Sequence, residues 1–150
     1  MKILVTVGTS SFERLIKAVD KQIPANKYQL TCQISDGKYQ PINHKFFHFS
    51  DKFPSLIADA DIVITHGGAG TIFQLLELQK KIIVVPNLDR IDKHQTDLAS
   101  FVSDNHYAIV CNNLDQLAYD LEQCIHFTPA SYQKDDFFMA DDLINYFSSE

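Results

Sequence analysis

Short apolar runs alternate along the chain with longer segments whose apolar positions recur every three or four residues. Ile3-Leu4-Val5-Thr6-Val7 reads as a buried strand and ends at Gly8-Thr9-Ser10. Over 11–23, Phe12, Leu15, Ile16, Val19 and Ile23 fall on one helical face, and Pro24 stops the helix. Tyr28 to Ile34 alternates like a second strand, and Asp36 to Asn43, with Gly37 and Pro41, reads as a loop. Phe46 to Phe49 is a short third strand. Leu56 to Ala60 predicts a short helix leading into a fourth strand, Asp61 to Thr65. A helix over 71–79, a fifth strand at Ile82–Val85 closed by Pro86, a helix over 94–103 and a sixth strand at Tyr107–Cys111 follow. Asn113 is placed to N-cap a helix reaching about His126, with Gln116 where a capping box needs it. A last helix is predicted from about Asp136 to Phe147, with Phe137, Leu143, Ile144 and Phe147 as its apolar stripe.

Strands alternating with helices predict an α/β fold: a doubly wound, mostly parallel, six-stranded Rossmann-like sheet with helices on both faces. The usual order for such a sheet, 3-2-1-4-5-6, sets strand one beside strand four, and ligands bind outside the carboxyl ends of strands at that switch point. The 150 residues suit one domain. Residues 1–126 form its expected core and 127–150 an acidic, amphipathic C-terminal segment. The net charge of −6 argues against a nucleic-acid binder, which needs a basic face. That charge is uneven. From Asp115 to Glu150 there are eight carboxylates against one base, Lys134, leaving residues 1–114 near +1. The run is either a solvated helix face or a docking surface for a basic partner. Three cysteines with no CxxC spacing indicate neither a disulfide framework nor a zinc knuckle, and fit a reducing, cytoplasmic setting. The longest uninterrupted aliphatic run, Ile82 to Val85, is far short of the roughly 20 apolar residues of a membrane span. Met1-Lys2-Ile3 enters a strand at once, with no signal-peptide pattern.

Glycine-rich turns fall at both predicted strand ends of the switch point. After strand four comes His66-Gly67-Gly68-Ala69-Gly70-Thr71, feeding a helix N-terminus. Amide N–H groups without intrahelical partners and a positive dipole end make that an anion site, most naturally for phosphate. His66 can donate to the same anion. Alternatively the glycines only allow tight packing and His66 is a satisfied core group. The loop has no Gly-Lys-Ser/Thr, so it is not a Walker loop, and it is not a well-formed GxGxxG. After strand one, Gly8, Thr9 and Ser10 can cap the next helix or share a diphosphate with the second loop. A third polar loop, 86–95, ends in His94 and Gln95, side chains suited to sugar hydroxyls.

In combination these elements resemble the C-terminal, donor-binding half of GT-B glycosyltransferases of family 28. The resemblance rests on Ile3–Thr9, Ala60–Ile72, Ile83–Pro86 and His94-Gln95, and it spans about residues 1–126. It extends to separately encoded versions of that half. One is the donor subunit of the two-subunit N-acetylglucosaminyltransferase of N-glycan assembly; others serve bacterial capsule and exopolysaccharide synthesis. The resemblance implies a UDP-sugar as substrate and no further cofactor. Gly8, Thr9 and Ser10, with His66, Gly67, Gly68, Ala69, Gly70 and Thr71, would then face the diphosphate, and His94 and Gln95 the sugar. Gln74 stands where the family usually has a glutamate that holds the ribose, so it loses charge-assisted hydrogen bonding there. Gln79 stands where the family usually has glycine, and a left-handed residue there would cost about 1 kcal/mol.

No metal site stands out, since His44 and His48 flank a strand rather than share a helical face. The catalytic base is missing from the motifs, and the fold implies that it comes from the other half of the enzyme. The implied activity is that of the catalytic, UDP-sugar-binding subunit of an inverting glycosyltransferase. By resemblance it transfers β-linked galactose to a lipid-linked saccharide for capsule or exopolysaccharide. A UDP-N-acetylglucosamine transferase subunit and a non-catalytic partner or enhancer subunit are the alternatives. Its partner would be a membrane-anchored, acceptor-binding subunit, which would place this chain at the inner face of the membrane. The aromatic segment Phe46, Phe47, Phe49 and Phe53 is either an acceptor platform or strand core. The last helix either finishes the core or reaches a partner.

Overall fold

The computed structural model describes residues 1–87 and 93–132. Six strands form one sheet: β1 (Lys2–Thr6), β2 (Gln29–Gln33), β3 (Lys45–Phe47), β4 (Ile62–His66), β5 (Lys81–Val85) and β6 (Ile109–Val110). Their order is β3-β2-β1-β4-β5-β6 and every pairing is parallel. The expected switch point is therefore present, with Thr6 of β1 in register with Thr65 of β4. Among the described residues four α-helices lie between strands, α1 (Glu13–Gln22), α2 (Phe53–Asp59), α3 (Ala69–Glu77) and α4 (Lys93–Asp104), and α5 (Leu117–His126) follows β6.

The central strands are apolar throughout because both faces of a parallel sheet are covered. On one face Val5, Ile64 and Ile83 pack with Leu15 and Val19 of α1 and Leu117 and Leu121 of α5. On the other, Leu4, Val63, Ile82 and Val84 pack with Ile57 of α2, Ile72 of α3 and Leu98 of α4. Asp20 of α1 pins the 36–43 connection. Its carboxylate accepts hydrogen bonds from Tyr39 Oη (2.7 Å), Ile42 N (2.9 Å) and Asn43 N (2.8 Å). Burial pushes the Asp20 carboxyl up, but the bonds from Ile42, Tyr39 and Asn43, with His44 nearby, outweigh it and hold the group below its ordinary value.

Several boundaries differ from the sequence expectation. Helix α1 starts at Glu13, after Phe12, with no side-chain cap, so neither Thr9 nor Ser10 caps it. Helix α3 starts at Ala69 instead of 71, because the chain after Gly68 turns helical at once. Asn113 caps a single 3-10 turn, Leu114–Gln116, by accepting from Asp115 N at 3.0 Å. Its side chain thus reaches two residues ahead instead of three, and the α-helix begins only at Leu117. Strand β6 is two residues long, since Tyr107 is drawn into an aromatic group with Phe101 and Tyr132.

The core also extends past residue 126. Ala130 N donates to His106 O at 2.8 Å, and Tyr132 is buried against Phe73 and Tyr107. The expected last helix, 136–147, lies outside the described residues. Gln79 does adopt the left-handed conformation expected of it, with φ +57°.

Candidate nucleotide crevice

Both glycine turns emerge at the carboxyl ends of adjacent strands, and one side chain fills the space between them. His66 closes β4 with its ring half-buried. A Cβ on Gly8 would lie 2.6 Å from His66 Cε1, and a Cβ on Gly68 would run into His66 Nε2. Gly8 also holds φ +73°, a conformation that L side chains rarely adopt. Neither glycine can therefore take a side chain while the ring stays in place. On its other edge, His66 Nδ1 lies 3.4 Å from Thr65 Oγ1.

Gly67 backs onto the third loop. A Cβ there would sit 2.8 Å from Gln95 Oε1. That oxygen accepts from Asn87 N at 3.1 Å, so Gln95 ties the end of β5 to the start of α4. Residues 88–92 of this loop lie outside the described residues. Gly8, His66, Gly67, Gly68 and Gln95 are thus in one interlocked group. Thr9 is exposed and Ser10 half-buried beside it.

Helix α3 opens directly from this group. Gly68 is its N-cap and has no side chain to cap it, so the first-turn amides of α3, which lack intrahelical partners, open onto this group. The nine-residue helix points the positive end of its dipole at the same place. Ala69 is buried, Thr71 half-buried and Gly70 exposed, with nothing within 4 Å of a Cβ built on Gly70. Gln74 is exposed one turn after Gly70, so the two share a helical face. His94 and Gln95 are both half-buried in the first turn of α4.

The pattern along the chain did not single out Gln33. At the end of β2 it is only 4% exposed, and its amide makes five hydrogen bonds, four to Thr6, Val7 and Gly8 at the first turn and one to His48 O. The available signal was a long polar side chain between Cys32 and Ile34, both buried, since glutamine is seldom fully buried without a purpose.

Other candidates resolve differently. His44 Nε2 sits 2.8 Å from Ile23 O and His48 Nδ1 2.7 Å from Ser35 O, so each ring is held by a backbone carbonyl. Among the described residues no group of three or more His, Cys, Asp or Glu is arranged to hold a metal. All three cysteines are buried, and burial pushes each thiol up to about 12, so none is a thiolate nucleophile. In the aromatic segment, Phe46 and Phe53 pack against the two cores, while Phe49 is 62% exposed.

Residues 2–136 match the family described as Glycosyltransferase family 28 C-terminal domain. The chain belongs to that family. Among its relatives is the UDP-N-acetylglucosamine transferase subunit ALG13 of Saccharomyces cerevisiae. It is 33% identical over 111 residues, which cover 69% of this chain and 55% of that protein. The human protein of the same name is 30% identical over 122 residues, covering 73% of this chain and 11% of its own length. The chain thus spans about half of the yeast relative and a small part of the human one. An NMR solution structure of ALG13 superposes with a TM-score of 0.59 at 21% identity, covering 87% of this chain and 90% of that one. The glycosyltransferase of kitacinnamycin gives a TM-score of 0.65 at 18% identity over 99% of this chain and 39% of its own. These superpositions establish the fold as the Rossmann-like, C-terminal half of the GT-B architecture. No described helix is long and apolar enough to cross a membrane.

Proposed function

We propose that this chain is the UDP-sugar-binding subunit of an inverting glycosyltransferase that acts with a separately encoded, membrane-anchored, acceptor-binding subunit. The observation that carries this reading is the His66 ring seated between two glycine turns at the mouth of α3. A diphosphate placed there would meet the first-turn amides of α3 and the Gly8–Ser10 turn. Both would stabilise the negative charge that grows on UDP as it leaves. No metal is needed for that role. The acceptor hydroxyl would attack the anomeric carbon from the opposite side, with its proton removed by a base on the partner. Gln74 would approach the ribose, and His94 and Gln95 the sugar.

The relatives favour UDP-N-acetylglucosamine over UDP-galactose as donor. The subunits from yeast and human carry N-acetylglucosamine in their names. So does the Opitutus terrae transferase whose name gives a pyrophosphoryl-undecaprenol acceptor, 39% identical over 71 residues. That last name also supports a lipid-linked saccharide as acceptor. Capsule or exopolysaccharide galactosylation draws no such support. The absence of a carboxylate at Gln74 favours, as the second reading, a subunit that keeps the fold without catalysing transfer.

Co-expression with the acceptor subunit and a panel of UDP-sugars tests the proposal. Transfer from UDP-N-acetylglucosamine to a lipid-linked acceptor is expected, and Gln74→Glu should strengthen donor binding without being required for turnover. No transfer by the parent complex, with transfer appearing only in Gln74→Glu, would favour the second reading.

A further inference from the structure

Gln33 sits outside every motif, yet it holds the crevice wall from behind. Its Oε1 accepts from Thr6 Oγ1 (2.7 Å), Val7 N (3.0 Å) and Gly8 N (3.1 Å). Its Nε2 donates to Gly8 O (3.0 Å) and to His48 O (3.0 Å). One buried amide thus joins the end of β1, the end of β2 and the chain leaving β3. Both polar groups of Gly8 are bound by it, and Gly8 is the residue whose backbone lies against the His66 ring.

We propose that Gln33 is the positioning residue of the crevice, fixing the Gly8 turn against His66 so that turn and ring present one preformed anion site. The ligand half of this rests on the nucleotide reading; the coupling of Gln33 to His66 through Gly8 does not. The amide is specifically required because the site offers three donors on one side and two carbonyls on the other. A methionine fills the space and satisfies none of them. A glutamate serves the three donors, but its second oxygen faces Gly8 O and His48 O and repels both until it is protonated.

The test compares Gln33→Met and Gln33→Glu with Asp20→Asn, which loosens the 36–43 connection away from the crevice. UDP affinity is measured by calorimetry from pH 8 to pH 5.5, and the His66 ring signals by NMR. Gln33→Met is expected to lose affinity about tenfold or more at every pH, as displaced binding groups do. Gln33→Glu should match that loss at pH 8 and recover, relative to the parent, as pH falls. Asp20→Asn should bind UDP like the parent. Both Gln33 variants at pH 8 should shift the His66 signals, although Gln33 does not touch the ring, and Asp20→Asn should not. Parent-like UDP affinity in the Gln33 variants would overturn the proposal. If the parent itself binds no UDP, the nucleotide reading fails, and the His66 signals alone decide. Unmoved signals overturn the coupling; moved signals uphold it. If Gln33→Met does not fold, the pH recovery of Gln33→Glu carries the same decision.

Discussion

Glycines 68 and 70 stand two positions apart in the same turn and should respond oppositely to alanine. A Cβ at Gly68 collides with His66 Nε2, whereas a Cβ at Gly70 meets nothing within 4 Å. Gly70→Ala should raise stability by up to about 1 kcal/mol, because it replaces glycine inside a helix. Gly68→Ala, and Gly8→Ala with its added φ penalty, should lower it by about 1–3 kcal/mol. Urea unfolding of the three variants measures this; equal effects at 68 and 70 would mean that His66 does not occupy the gap. The glycines and His66 were legible as a motif because their types and spacing are unusual. Their contact was not, since nothing in the spacing says which ring faces which backbone. Gln33 was hidden for a related reason: its partners come from the ends of two other strands, β1 and β3, that meet it only after the sheet forms.

Among the elements, strand and helix positions follow from apolar periodicity and strand order from the usual doubly wound topology, but the ends do not. Helix α1 begins just after Phe12, an N-cap residue with no capping group, because burial of Phe12 in the core sets the entry point. The serine and threonine before it suggested a cap that tertiary packing overrides. The close of α3 was legible, because a break in a family pattern points to backbone conformation. There Gln79 N donates to Leu76 O and Lys80 N to Leu75 O, a Schellman arrangement with Gln79 at its left-handed position. Gln79 Nε2 also donates to Tyr132 O at 3.2 Å. Gln79→Gly should therefore raise the unfolding free energy, by about 0.5–1 kcal/mol, less than full relief of the strain because the Tyr132 bond is lost. A fall in stability would show that the bond to Tyr132 is worth more than the strain.

The tie between α1 and the 36–43 connection has a pH signature. Asp20 is held below its ordinary value when folded, so its stabilising contribution is fully present above the unfolded value of about 3.9. It is lost as pH falls through the folded value. Asp120 is pushed up by burial and works in the opposite sense, gaining from protonation as pH drops. Asp20→Asn should thus flatten the acid side of the stability curve below about pH 4, measured as thermal midpoint against pH. An acid limb as steep as the parent's would place the controlling carboxylate elsewhere.

Among the described residues the molecule is one Rossmann-like sheet covered by helices on both faces, with the glycine turns at its carboxyl edge, where the proposed acceptor-binding subunit would face it. The net charge of −6 is concentrated after Asp115, and most of that acidic run lies beyond Tyr132, outside the described residues. The cavity of about 500 Å³ lined by Lys2, Tyr28, Gln29, Thr31, Asn43 and Leu56 opens near the amino ends of β1 and β2, away from the glycine turns. That cavity is thus a rival place for a small ligand, and strand topology and helix polarity favour the carboxyl edge over it. An NMR titration of the isotopically labelled chain with UDP distinguishes them. Saturable shifts at millimolar UDP, confined to the Gly8–Ser10 turn, His66 to Thr71 and their contacts, are predicted. No shifts at those concentrations, or shifts centred on Lys2, Gln29 and Thr31, would contradict the account.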